Sequence, residues 1–272
     1  MGSTMTNLNQ GALAGLLIQI PSLHEQRAIV AALGDADALL AALDKLIAKN
    51  RDLKQATMQQ LLTGRTRLPG FSGKWTTRLV AEMGAVLAGK ALAIYAPGTP
   101  RPYLRTKNVL DGRIDVDDVL SMPMTDAEFD RFRILPGDVL LNEGQSLELV
   151  GRCSIYRNEF GSPCAMQNQL LRFRAGPQTN AGFAAHLFRR CQIDGTFASI
   201  ATQTTSVAHL GSSRFSSLRL IWPADVDEQA AISAILDDMD AELHALEARR
   251  EKTRFLKQGM MQDLLTGRTR LV

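Results

Sequence analysis

The chain has 272 residues, 45% of them hydrophobic and 22% charged, and a net charge of +3. Those are the proportions of an ordinary soluble protein, long enough to bury a core and to hold two lobes. Three cysteines (Cys153, Cys164 and Cys191), an odd number without metal-ligand spacing, exclude a disulfide scaffold and predict a reduced, cytoplasmic protein. The apolar stretch "GALAGLLIQI" is too short to span a membrane and lacks a basic leader, so neither membrane anchor nor signal peptide is expected.

In chain order, an apolar extended segment ends at Pro21, which disfavours helix behind it. A helical period follows: Ile29, Leu33, Ala36, Leu40, Leu43 and Ile47 step 4-3-4-3-4, the seam of a coiled coil. The stretch closes at "LLTGRTRL", residues 61–68, where Gly64 suits a helix C-terminus. At 1.5 Å rise per residue, such a helix is about 57 Å long.

Residues 69–223 read as a mixed domain. "LPGFSGKW" is a turn-rich entry, and a short helix or strand then leads to "AGKAL". "RPYLRTKNVLDGRIDV" reads as two strands around the turn Asp111-Gly112. "TDAEFDRF" is a short helix capped by Thr125 with Glu128 three residues on. "ILPGDVLLNEG" is a turn and a buried strand, "GRCSIYR" and "NQLLRFRA" are further strands, and "NAGFAAHLFRRCQ" is helical.

After Pro223 the first pattern returns. Ile232, Leu236, Met239, Leu243 and Leu246 form a second seam, and "LLTGRTRL" recurs at 264–271. The match runs backwards through Met58/Met261, Lys54/Lys257, Asp37/Asp240 and Glu25-Gln26/Glu228-Gln229, then through Pro21/Pro223 to Leu8/Leu210. Residues 8–68 and 210–271 are therefore two copies of one unit around a unique insert. One long core helix in a globular domain is the alternative for each copy, but two similar seams in one chain offer each other a partner. The expected fold is α+β: one globular domain with a mixed or antiparallel sheet and short helices, plus two long helices in an antiparallel coiled coil. Leu40 and Leu43 are expected to face Leu243 and Leu246. Asn50 and Arg250 interrupt the seams, and the far ends are expected to shift onto a stripe of Leu53, Leu61 and Leu62 with Leu256, Leu264 and Leu265.

Catalytic and metal signatures are absent from the sequence. No glycine-rich nucleotide fingerprint or P-loop occurs, and His24, His186, His209 and His244 lack ligand spacing. "DGRIDVDD" lacks the spacing and terminal glutamate of a calcium loop, and Asp138 and Glu143 have no lysine beside them for a metal nuclease. Positive charge gathers in the insert. Residues 71–221 carry seventeen Lys and Arg against thirteen Asp and Glu, whereas the chain from 222 onward carries seven against ten. The insert also holds four polar loops: Arg105, Thr106, Lys107 and Asn108; Asn142 to Ser146; Gln167, Asn168 and Gln169; and Thr202 to Ser206. Arg, Lys, Asn and Gln read base edges, and Ser, Thr and Lys hold phosphates. The candidate DNA-binding residues are therefore Lys90, Arg105, Lys107, Asn108, Asn142, Gln145, Ser146, Arg152, Gln167, Asn168, Gln169, Gln203, Thr204, Thr205, Ser206 and His209. No catalytic or metal-binding residue and no cofactor is assigned.

This arrangement resembles the DNA-specificity subunit of type I restriction–modification systems. The residues that carry the resemblance are "IPSLHEQRAIVAAL" and "WPADVDEQAAISAIL" opening the helices, "LLTGRTRL" closing each, and "LPGFSGKW", "PYLRTKNV", "LPGDVLLNEGQS", "QNQLLRF" and "TTSVAHL" in order between them. The resemblance implies a non-catalytic subunit in which residues 22–68 and 224–272 are conserved spacer helices and residues 69–223 are a target-recognition domain. Its implied partners are double-stranded DNA, a methyltransferase subunit that uses S-adenosylmethionine, and an ATP-dependent translocase–nuclease subunit. A full subunit of that family has two recognition domains and this chain has one. Residues 1–21 match "AHLGSSRFSSLRLIWP", so they read as the tail of a missing first domain, and pairing with a second copy of the chain is expected. A helical assembly or anti-restriction protein that binds those subunits without reading DNA is the alternative, and a stand-alone nuclease is a weaker one.

Overall fold

The computed structural model describes residues 14, 15, 18, 20–91, 95–203 and 206–271. Its elements begin with α1 (Leu23–Leu61), β1 (Trp75–Leu79), α2 (Val80–Met83), β2 (Gly84–Ala88) and β3 (Thr99–Leu104). A 3₁₀ turn, Thr106–Asn108, leads to β4 (Val109–Leu110), β5 (Arg113–Ile114), β6 (Leu120–Met124) and α3 (Asp126–Phe132). Then come β7 (Val139–Asn142), β8 (Gly144–Gln145), β9 (Cys153–Ile155), β10 (Ala165–Met166) and β11 (Leu170–Ala175). The rest are α4 (Ala181–Ile193), α5 (Thr196–Ile200), β12 (Thr202–Gln203), β13 (Ala208–His209), α6 (Ser212–Ser217), β14 (Arg219–Pro223) and α7 (Val226–Leu265). The chain resolves into two compact units, Met1–Arg51 with Ala241–Val272, and Asp52–Asp240. Each long helix contributes a segment to both.

In the first unit the helices run antiparallel, as the fold class predicts. Asp37 pairs with Lys257, Asp44 with Arg250 at 3.3 Å, Asn50 with Glu242 at 3.1 Å, and Arg51 with Glu247 at 2.5 Å. Ile29, Leu43, Ile47, Leu243 and Leu264 are buried. The register differs from the expected one. Leu43 stands one residue before Asp44, whose partner is Arg250, and Leu243 stands one residue after Glu242, whose partner is Asn50, so the leucines named above do not oppose one another. The reason is ionic. The repeat carries an Asp and a Lys in each copy, and the observed overlap joins Lys54 to Asp240 as well as Lys257 to Asp37. A slide of one heptad would leave all four unpaired. The expected shifted stripe is also corrected. Leu53, Leu256 and Leu265 are exposed, while Leu61, Leu62 and Leu264 are buried. The original heptad continues instead, because Asn50 and Lys54 find polar partners across the seam and need no detour.

The second unit has three hydrophobic clusters, and one sheet contributes to the two larger ones. That sheet has strand order β2-β11-β7-β9 and is antiparallel throughout. Strand β7 is wholly buried, which is why "VLLN" reads as a continuous apolar run. Its Val139 and Leu141 enter the larger core, with Met58, Leu62, Phe173, Phe183, Phe188, Phe215 and Trp222; Leu140 enters the smaller one, with Leu104, Val109, Ile114 and Tyr156. The rings of Phe188 stand edge-on to Phe173 and Phe215, each at 5.0 Å between centroids. Strands β1 and β14 pair from Trp75↔Pro223 to Leu79↔Arg219, closing the start of the domain on its end. The capping box of α3 forms as expected: Thr125 Oγ1 accepts from Glu128 N at 3.3 Å, and Glu128 Oε2 accepts from Thr125 N at 2.9 Å.

The two repeated motifs meet in this unit. Glu228 is fully buried and accepts from Arg67 Nε at 2.6 Å and Nη2 at 2.8 Å, and from Trp75 Nε1 at 3.2 Å. Gly64 has φ +69°, and a Cβ there would press on the Trp75 ring at 3.2 Å. Gln229 is equally buried. It accepts from Asn180 N at 2.8 Å and donates to the carbonyls of Pro223 and Gln178 at 2.9 and 3.1 Å, fastening the start of α4. The first unit repeats the clasp in outline: Arg270 Nε lies 2.6 Å from Glu25, and Gln26 donates to the carbonyl of Pro21 at 2.8 Å. The octapeptide therefore supplies the arginine that locks each helix end to the glutamate opening the other helix.

Candidate nucleic-acid interface

Main-chain hydrogen bonds within the second unit join the polar loops 142–146 and 167–169 to each other and to neighbouring segments. Gln167 N donates to Leu104 O at 2.9 Å, and Asn168 N to Lys90 O at 2.8 Å. Glu143 N donates to Gln169 O at 2.8 Å, and Leu210 N to Glu143 O at 2.9 Å. The chain just before Arg105, the loop 167–169, the β7–β8 segment and the end of β13 thus form one seam. Strands β12, β13 and β8 pair side by side, setting Gln145 against Ala208, Ala208 against Gln203, and His209 against both Thr202 and Gly144. His209 Nδ1 lies 3.0 Å from Glu143 Oε2, and Glu143 Oε1 accepts from Gly211 N at 3.3 Å. A side chain at Gly144 would come within 3.0 Å of Gln169 Oε1 and 3.2 Å of His209.

Burial sorts the candidates. Lys107, Asn168, Gln203 and Ser206 are exposed; Arg105, Gln145, Ser146, Arg152, Gln167, Gln169 and His209 are half-buried. Gln145, Gln167, Gln169 and His209 share the seam. Thr204 and Thr205 lie outside the described residues. The reading of Asn108 and Asn142 as polar side chains of open loops is corrected, because both are buried, as is the basic candidate Lys90. Lys90 is paired with Glu128. Asn108 accepts from Arg105 N at 2.9 Å and donates to the carbonyls of Asp115 and Asp118 at 2.8 and 3.1 Å. Asn142 Nδ2 donates to Val109 O at 3.3 Å. Buried polar groups are mostly hydrogen-bonded, and the donors of these three side chains tie the loops together from inside. Arg152 stands next to Asn142, whose N–H donates to its carbonyl at 2.9 Å.

Two cations flank this region. Arg105 Nη2 and Lys107 Nζ both donate to Asp118 Oδ2 at 2.6 Å. The hydrogen bond from Lys107 and the charge of Arg105 hold the Asp118 carboxyl below the usual carboxylate range, against its partial desolvation. Sequence reasoning saw this aspartate only as part of an acidic cluster. Asp118→Asn is expected to release both cations and to strengthen binding to any duplex, steepening the fall of affinity with salt by about one to two phosphate equivalents. Affinity measured across a salt series checks this; an unchanged slope would show that neither cation faces DNA.

The acidic residues considered for metal are otherwise engaged. Asp138 takes Arg174 through Nε and Nη2, both at 2.7 Å, and Glu143 takes His209. Among the described residues no group of three or more His, Cys, Asp or Glu could hold a metal ion, and no helix is long and apolar enough to cross a membrane. The three thiols are buried, and burial pushes each up, Cys191 to about 12.

An α+β domain with several polar loops and an antiparallel pair of long helices define the class of fold. No family model matches the chain. It is 23% identical over 166 residues to the putative type I restriction enzyme MjaX specificity subunit of Methanocaldococcus jannaschii, covering 61% of this chain and 39% of that one. It is 24% identical over 190 residues to the type I restriction enzyme EcoKI specificity subunit of Escherichia coli K12, covering 64% and 40%. Among solved structures, the S subunit of a type I restriction–modification system from M. genitalium superposes with a TM-score of 0.60 at 14% identity, over 97% of this chain and 67% of that one. A chain from a structure addressing complex assembly and conformational transition of the type I R-M system gives 0.60 at 17% identity, over 98% and 65%. The chain is thus similar in sequence to proteins named type I restriction enzyme specificity subunits and shares the fold of the M. genitalium S subunit. The matched region spans about two fifths of the length of these two relatives.

Proposed function

We propose that the chain reads one half-site of double-stranded DNA for a type I restriction–modification enzyme, without catalysing a reaction itself. The observation that carries this reading is the seam that joins Gln145, Gln167, Gln169 and His209 beside Arg105 and Lys107. In this reading the four seam side chains meet base edges and Arg105 and Lys107 meet phosphates. The similarity to proteins named specificity subunits supports it. In this reading the paired helices dock a methyltransferase subunit and a restriction subunit, and those subunits perform methyl transfer and cleavage.

One recognition domain reads half of a bipartite target, and two copies of the chain would read the whole. The repeat supports such pairing. Met58, Leu62 and Trp222 are buried, while their counterparts Met261, Leu265 and Ile20 are exposed. Beside them in the first unit lies an apolar groove of about 790 Å³ lined by Phe255, Leu256, Met260, Leu264 and Leu271. Two such faces meeting across a two-fold axis cover each other. Methylation mapping of DNA from cells expressing this chain with its methyltransferase subunit tests both statements. An interrupted palindrome is expected. Two unrelated half-sequences would exclude the homodimer, and methylation that ignores the chain would exclude the specificity role.

A further inference from the structure

The turn of the β4–β5 hairpin is held from beneath by a chain of four charges. Arg189, on α4, places Nε 2.6 Å from Asp111 Oδ1 and Nη2 3.1 Å from Asp111 Oδ2. Its Nη1 lies 3.1 Å from each oxygen of Asp240, on α7. Asp240 in turn accepts from Lys54 Nζ, on α1. The next residue of the turn, Gly112, sits directly on the guanidinium: a Cβ there would be 3.0 Å from Arg189 Nη1. Only an arginine has the two planar edges needed to grip two carboxylates at once.

This network is more than a surface ornament. The Lys54 side chain is nearly inaccessible, and those of Arg189 and Asp240 are less than a quarter exposed. Burial works against the Asp240 carboxyl, yet Arg189 and Lys54 hold it below the usual carboxylate range. The next polar layer is separate: Asp237 on α7 takes His186 at 3.2 Å, Arg157 at 3.1 Å and Ser233 at 3.2 Å. Arg189 is therefore the link from the two long helices to the hairpin turn.

What the turn carries decides the consequence. From Asp111 the chain runs back through β4 to Asn108, whose amide fastens the carbonyls of Asp115 and Asp118. Asp118 holds Arg105 and Lys107. Residues 105–118 thus form one braced piece, and its inner end is the carboxylate that Arg189 grips. We propose that Arg189, through Asp240 and Lys54, is a positioning residue that sets the pose of the cationic loop 105–118 from the long helices, so that substitutions at the helices alter DNA discrimination without touching DNA. This rests on the reading of that loop as a DNA contact.

The full chain carrying Asp111→Asn or Asp240→Asn tests it. Asp111 is half exposed at a turn, so that variant keeps its fold, and its melting curve verifies this. Amide hydrogen exchange is read at Gly112 and Asp115, with β7 and β11 as internal references. Both hairpin amides are expected to exchange on the order of tenfold faster while the reference strands do not change. In parallel, each protein is equilibrated with a randomised duplex pool and the bound fraction is sequenced. Discrimination is expected to fall about fivefold in both variants with total duplex binding retained, because Arg105 and Lys107 keep their charges. Unchanged hairpin exchange overturns the clamp whatever the DNA does. Faster exchange with unchanged discrimination overturns the positioning role. Faster exchange in chains that, like the wild type, bind no duplex upholds the clamp and overturns the DNA reading instead.

Discussion

Glu228→Ala is expected to destabilise the second unit by about 3 kcal/mol, at the low end for breaking a buried pair because Arg67 keeps some access to water. The substitution strands the Arg67 guanidinium and the Trp75 indole N–H, both of which now end on the buried carboxylate. The same change at the equivalent position of the first copy, Glu25→Ala, is expected to cost less than about 1 kcal/mol. There Arg270 is mostly exposed and returns to water when its partner is lost. Urea unfolding of the two variants compares them. Equal costs would mean that the clasp at Glu228 is not a core feature, and that the repeat's two ends are energetically alike.

Gln145→Ala and Gln169→Ala are each expected to cost about 1–3 kcal/mol of discrimination at one base position, the value of a lost bidentate contact. Lys107→Ala should act differently. It should weaken all sequences alike and reduce the salt slope by about one. The contrast follows from where the atoms stand: Gln145 on β8 and Gln169 beside Gly144 lie within the seam, while the Lys107 ammonium is exposed at the flank. Sequencing of bound duplexes, with binding curves at several salt concentrations, separates the two behaviours. If the glutamine variants keep full discrimination, the reading face lies elsewhere in the domain.

Much of the frame was legible because its signals are local or periodic. The seam of Ile29 to Ile47 and that of Ile232 to Leu246 announce long helices, and the matching octapeptides announce a repeat. The turn Asp111-Gly112, the capping of α3 by Thr125 and the buried strand β7 follow from residues within a few positions of one another. The four polar loops could be named as candidates, but not sorted. Asn108 and Asn142 carry the same amide as Asn168, yet both are buried and donate to carbonyls inside the fold while Asn168 faces solvent. Nothing in a short window distinguishes them, because burial is set by what packs from elsewhere. The short strands β10, β12 and β13 escaped notice for the same reason: two residues have no readable period, and they exist only through partners on other segments.

By itself the sequence determined that the chain has two related long helices around one mixed domain, since heptad spacing and internal identity are properties of the chain alone. Only the tertiary structure decided the register of those helices and the purpose of the Glu-Gln pair. It alone also decided which polar side chains remain free to meet a partner. Each depends on groups far apart in sequence, as Arg67 and Glu228 are at 161 residues. Their pairing is favourable only once folding has removed both from water and closed the intervening loop.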